Sequence, residues 1–200
     1  MKRKFKIVMG LVLFVAVAYL YAHIDKTTII YNESMDSSQY QTTGILDNKT
    51  VEQIFLSQEE MLDGVRVKCG VHGDITGIQL KFSLIDMKTQ KVEAESIADA
   101  TVIKNSKFFD LRFNQINGCK GKLYKVVIEE VGTTTNNGVS IFFAEGTEKD
   151  TKLVIGKESV DGTLILKTLS HRFDMETFIV VLCFTLYIFL FLKFLYKLFK

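Results

Sequence analysis

The run Phe178–Leu192, FIVVLCFTLYIFLFL, holds no charged residue, glycine or proline, and a helix drawn through it is apolar on every face. A helix of that kind belongs in a bilayer rather than on the flank of a soluble core. KFLYKLFK follows, so the point to decide is whether Lys193 and Lys197 forbid insertion. Leu, Ile, Phe and Val each favour insertion by roughly 0.3 to 0.6 kcal/mol, and a dozen of them outweigh about 2.5 to 3.5 kcal/mol for one lysine at mid-membrane. The amine also escapes part of that cost by snorkelling from the helix end. The sequence therefore predicts a transmembrane helix over 178–199. At the other end, Lys2, Arg3, Lys4 and Lys6 precede a second uncharged run over 7–22, IVMGLVLFVAVAYLYA. That run is at the short end of what spans a bilayer. It reads as a retained signal anchor; a cleaved signal peptide, with Ala16 and Ala18 supplying small residues, is the alternative.

Positive flanks set the orientation. The basic tip 1–6 and the cations Lys193, Lys197 and Lys200 put both termini in the cytoplasm, and the intervening region outside the cell membrane. Arg172, a weak counter-signal, is softened by Asp174 and Glu176. The whole chain carries a formal charge of +2, and the basic ends hold the excess, leaving a slightly acidic middle. This excludes nucleic acid as the partner, because a phosphate-tracking surface needs clustered Lys and Arg. The basic ends suit topology and anionic membrane lipid instead.

From Val51 onward apolar residues recur with period two, the pattern of strands with one buried face, between segments rich in Gly, Asn, Asp and Thr. DGVRVKCG alternates Val65, Val67 and Cys69 against Arg66 and Lys68. GIQLKFSLID, KFFDLRF, KLYKVVIEEV, GVSIFFAE, TKLVIG and GTLILKTL behave alike. The spacing predicts an all-β ectodomain, a sandwich or barrel of antiparallel strands over 51–170, with a linker at 171–177 before the second transmembrane helix. Residues 94–103, AESIADATVI, suit one short helix, although their β-branched end also suits a strand. Residues 23–50 read as a stalk or an added edge strand around TTIIY. The tripeptides Asn32-Glu33-Ser34 and Asn48-Lys49-Thr50 match the glycosylation acceptor pattern, which arises often by chance in such loops.

Cys69 and Cys119 are the two cysteines of this middle region, and outside the cytoplasm they are candidates for one disulfide. Two separate buried thiols are the alternative. Cys183 lies within the apolar run. A metal centre needs three or four convergent ligands, and Cys69 with His72 in CGVHGD offers half a set, so no metal and no cofactor is expected. Gly73 and Asp74 suit a turn there. The chain has no G-x-S-x-G elbow, no H-E-x-x-H and no phosphate-cradling loop, so no catalytic residue is assigned. Glu59-Glu60 and Glu129-Glu130 are neighbours, which on a strand point to opposite faces, and they read as solvated surface charge.

The order of VEQIF, LDGVRVKCG, GIQLKFSLID and FFDLRFNQINGCKGKLYKVVIEE resembles a β-sandwich module of bacterial membrane proteins of surface-polysaccharide assembly. Gln53 and Phe55 match its first element, Leu62, Gly64 and Val65 the second, and Gly121, Lys122 and Tyr124 the last, over about 51–131. Cys119 stands where the family has Ser, and the family's many-helix transferase part is lacking. The resemblance implies an antiparallel β-sandwich similar in shape to carbohydrate-binding jelly rolls, and with it a non-catalytic accessory role contacting a glycan or lipid-linked sugar in the cell envelope. Sugar sites pair an exposed aromatic with polar neighbours, which makes Phe108, Asp110 and Arg112, on the outward parity of one strand, the candidate ligand-binding residues. The other reading is a scaffold subunit docking on a larger multi-pass membrane enzyme or transporter.

Overall fold

The computed structural model describes residues 2–132 and 136–199. Lys200 and the side chains of Lys2, Arg3, Lys4 and Lys6, on which the expected orientation leans, lie outside the described residues. In chain order the elements are α1 (Lys2–Tyr21), β1 (His23–Ile29), β2 (Gln41–Thr42), β3 (Val51–Leu56), β4 (Met61–His72), β5 (Gln79–Asp86), β6 (Val92–Asp99), β7 (Lys107–Asn117), β8 (Leu123–Val131), β9 (Gly138–Glu145), β10 (Lys152–Ile155), β11 (Glu158–Val160), β12 (Gly162–Leu164), β13 (Leu166–Phe173) and α2 (Met175–Leu198). They fall into two units: Thr27–Ser170, and Met1–Lys26 with His171–Lys200.

In the first unit the period-two pattern turns into pairing. Among the described residues one sheet runs β1-β13-β4-β9-β12, with β7 on β4 and β2 on β9, and the other runs β11-β10-β3-β8-β5-β6. The expected class holds at that level: the protein is built mostly of antiparallel strands in two sheets, with an apolar helix at its C-terminal end. One cluster of buried side chains draws on both sheets, Phe55, Phe82, Tyr124 and Ile128 from one and Val65, Val67, Leu111 and Ile141 from the other. Alternate residues along β5 and β8 are buried, as one covered face requires.

Two motif residues find structural reasons here. Gln53 is fully buried on β3. Its Nε2 donates to the carbonyls of Ile54 (2.8 Å) and Lys152 (3.2 Å), and its Oε1 accepts from the Leu164 amide (2.8 Å), so one side chain ties the two sheets together. Gly64 marks an irregularity in the β4–β7 register, where a Cβ would sit 2.8 Å from the Leu111 carbonyl oxygen. Only glycine lets the two backbones come that close.

Residues 94–103 are not a helix. They continue β6, which pairs with β5 from Gln79↔Asp99 to Ile85↔Val92, and then make a single 3-10 turn at Ala100–Val102. Asp99 starts that turn by accepting from the Thr101 amide (2.8 Å). Pairing along β5 outweighs the weak helical propensity of the segment. Upstream, His23–Ile29 is a strand at one side of the first sheet, beside β13. Beyond it, Tyr31, Met35 and Tyr40 fold over that sheet's outer face and form a small second cluster with Phe142, Ala144 and Ile165.

The second unit holds the helices. Asp174 caps α2, its carboxylate accepting from the Thr177 amide (3.2 Å) and hydroxyl (2.5 Å). α2 is long and apolar enough to cross a membrane, and none of its described residues is buried. The apolar stretch described in α1, Met9–Tyr21, is shorter. The Asp174 amide donates to the Ala22 carbonyl (2.8 Å), so the end of α1 and the start of α2 lie side by side. Tyr19, His23 and Phe173 pack there with ring centroids 4.6 to 5.3 Å apart.

Candidate functional site

The expected ligand-binding trio does share one face. β7 lies antiparallel to β4 with Asp110 opposite Arg66 and Phe108 opposite Lys68, and β13 on the other side of β4 sets Lys167 opposite Arg66. Phe108, Asp110, Arg112, Arg66, Lys68 and Lys167 all point away from the core, whose side of β7 and β4 is taken by Leu111, Val65 and Val67.

Their contacts change what each member can do. Arg66 grips Asp110 with both arms of its guanidinium, Nε to Oδ1 at 2.5 Å and Nη2 to Oδ2 at 2.9 Å, and Arg112 reaches Oδ2 at 3.4 Å. Asp110 is thus a counter-ion within the protein. The Arg66 hydrogen bonds hold its carboxyl below the usual carboxylate range against the opposing effect of burial. Phe108 is 40% exposed, and the Lys167 ammonium sits 5.1 Å from its ring centroid. Lys68 lies 4.9 Å from the Tyr40 ring and 5.1 Å from that of Phe142. The face is therefore a basic surface interleaved with aromatics, not a bare aromatic platform. Arg66 and Lys68 were visible as the outward parity of their strand. Lys167, Tyr40 and Phe142 were not, because only the register brings them there.

The disulfide expected between Cys69 and Cys119 is not formed; both are buried free thiols. Cys69 pairs with Lys107, at one end of the β4–β7 ladder, whereas Cys119 follows Asn117, which pairs with Met61 at the other end. Met61 and Cys69 are separated by about 27 Å of strand at roughly 3.4 Å per residue, and a bridge needs Cα atoms within about 7 Å. Burial pushes the Cys69 thiol up to about 12. Cys119 lies against Tyr124, whose hydroxyl is raised above its ordinary value by burial first and by that cysteine second. The residue at 119 thus serves packing beside the tyrosine.

His72 ends β4, and Gly73 (φ 63°) with Asp74 turns the chain, Asp74 accepting from the Thr76 amide (2.9 Å) and hydroxyl (2.7 Å). The His72 ring pairs with the Ser140 hydroxyl at 2.9 Å, a contact with no sequence signature. Ser140 is fully buried, whereas His72 is exposed at the end of its strand. Among the described residues no three His, Cys, Asp or Glu side chains converge as metal ligands.

One member of each acidic pair departs from the surface reading. Glu59 is buried and takes the Thr28 hydroxyl (2.7 Å). Glu130 shares the inward parity of Tyr124, Val126 and Ile128. Its Oε1 accepts the Val139 amide (2.5 Å), and Oε2 is left without a full hydrogen bond. Burial raises its pKa above the ordinary glutamate value, and the backbone amides of Val139, Asp47 and Leu46 offset part of that rise.

Two hollows on the described surface are lined by both lysine and carboxylate. One of about 560 Å³ lies between the turn at Asn48–Thr50 and the β10–β11 hairpin, with Lys49, Lys157 and Glu158 at its rim. The other, about 280 Å³, lies between Ile29, Leu56 and the loop Lys149–Thr151. Each holds a single carboxylate and no histidine.

No protein-family model matches the chain, and no curated protein matches it. Similar solved structures include the clostridial cysteine protease Cwp84 after propeptide cleavage, at 13% identity and a TM-score of 0.42, over 69% of this chain and 41% of that one. A structure of the cysteine protease and lectin-like domains of Cwp84, a surface layer associated protein of Clostridium difficile, matches at the same identity and TM-score, over 69% of this chain and 37% of that one. The chain spans about two fifths of the length of the structures it matches.

Proposed function

We propose that the protein is a non-catalytic, membrane-tethered accessory module whose β-sandwich stands on the extracytoplasmic side and contacts a glycan or lipid-linked sugar of the cell envelope. The observation that carries the tether is the Asp174 to Ala22 hydrogen bond between the end of α1 and the start of α2. With the chain entering and leaving at one place, two helices threading one bilayer would hang everything between them on a single side. The basic flanks of both helices favour the cytoplasm for the termini. The exposed face around Phe108 supports glycan contact, because it joins an aromatic ring to polar groups within reach of solvent. The motif order from Gln53 to Tyr124 supports the envelope-polysaccharide setting.

The test has two parts. An amine reagent that does not cross membranes should modify Lys104 and Lys120, both exposed, on intact cells; modification only after lysis overturns the topology. Full-length protein in nanodiscs should be retained on immobilised envelope polysaccharide, and passage without delay overturns the glycan contact. α2, apolar all round with no side chain buried, favours a second reading, docking on a multi-pass membrane enzyme or transporter. Recovery of one such partner from detergent extract, together with absence of glycan binding, would select it.

A further inference from the structure

Arg66 and Lys167 stand directly opposite each other on neighbouring strands. Like charges so placed lie about 4.5 to 5.5 Å apart at Cβ and weaken a sheet. A lysine and an arginine of a solvent-facing strand pair could as easily be a cation and an acid, so this is a local conflict of the sort that accompanies a functional surface. Asp110 relieves only part of it, since both its oxygens are engaged by Arg66. Lys68, one row further along β4, and Lys167 form no ion pair among the described residues; each rests against an aromatic ring.

The geometry points to an anionic polysaccharide as the ligand of this face, its carboxylate or phosphodiester groups received by Arg66, Lys68 and Lys167 while its sugar rings lie along Phe108, Tyr40 and Phe142. This rests on the glycan reading above and narrows it to a charge class. The rows of cations run along the strands: Arg112 opposite Gly64, then Arg66 with Lys167, then Lys68. Successive rows are about 7 Å apart, so the series extends over roughly 14 Å. A single small anion meets one row; a chain bearing an anion on each of several sugars meets all of them. Neutral glycan would bring no counter-ion to Lys68 and Lys167, which rest against aromatic rings. Charge pairing at an exposed surface is screened over about 8 Å at physiological salt, so binding should weaken as salt rises.

The experiment uses full-length protein in zwitterionic nanodiscs against four probes: alginate as a polyuronate, poly(glycerol phosphate), neutral dextran, and phosphatidylglycerol vesicles. The two anionic polymers should bind in a salt-sensitive way, and Lys68→Gln with Lys167→Gln should weaken them about tenfold or more. Lys104→Gln with Lys120→Gln, the same charge removed from elsewhere, should leave affinity within about twofold. Lys167→Gln alone should hold or raise the melting temperature, which separates loss of binding from loss of fold. Dextran bound as well as the polyanions, without salt dependence, overturns the anionic class and leaves the glycan reading standing. No polysaccharide bound overturns both. Equal weakening by the two double variants, or binding of the vesicles alone, overturns this assignment in favour of diffuse charge or of lipid.

Discussion

Cysteine 69 behaves as a small apolar side chain. With no exposure and a thiol pushed up to about 12, it has no thiolate to offer at neutral pH. A maleimide should therefore leave Cys69 unmodified in the folded protein and modify it on denaturation without any reductant. Modification that required a reductant would mean a disulfide after all. Glu130 makes the complementary prediction. Its native pKa is raised, so between the ordinary glutamate value and that raised value the folded state holds a proton that the unfolded state has lost. Stability then falls as pH rises through that window and recovers on acidification. Melting temperature followed from neutral to mildly acid pH should show that recovery in the wild type and lose it in Glu130→Gln; parallel curves would remove the role given to this carboxylate. The burial of Glu130 was legible, because it shares parity with Tyr124, Val126 and Ile128. It was misread because a charged side chain is rarely left inside. The cysteines were misread for another reason. Their separation depends on which end of a ladder each occupies, and composition is silent about that.

At the scale of elements, alternation located the strands from Val51 onward because each has one wet and one dry face. β1 was harder to read, since HIDKTTI shows little alternation and its place is fixed by pairing with β13, far away in sequence. Residues 94–103 were ambiguous because Ala and Glu favour a helix locally, while the strand beside them supplies a ladder. Half of the candidate face was equally out of reach: parity exposes Arg66 and Phe108, but register alone sets Lys167 against them. Gln53 carries the prediction that belongs at this scale. Gln53→Ala would leave the Leu164 amide without its acceptor inside the protein. It should destabilise the fold by about 1 to 3 kcal/mol, read as a lower denaturant midpoint. An unchanged midpoint would mean that the sheets do not depend on this amide.

For the molecule as a whole, the apolar C-terminal helix is the feature that sequence and structure give alike. α2 keeps large side chains such as Phe184, Tyr187, Phe189 and Leu190 uncovered, more apolar surface than a soluble protein tolerates. The protein should sediment with membranes, resist extraction by alkaline carbonate and dissolve in detergent. Release by carbonate would count against insertion.

The pairing of β1 with β13 has a bearing on how the protein is made. Ile30 donates to the Leu166 carbonyl and Thr168 reaches the Thr28 carbonyl, so an early stretch of the chain meets one of the last. During synthesis the first strand waits for almost all the rest to emerge, a long-range closure of the slow-folding sort. Until then its backbone donors and acceptors are open to stray partners. A chaperone that shields a nascent strand would have its greatest value here, and ribosomes stalled ahead of Leu166 would carry a chain that cannot yet close its sheet.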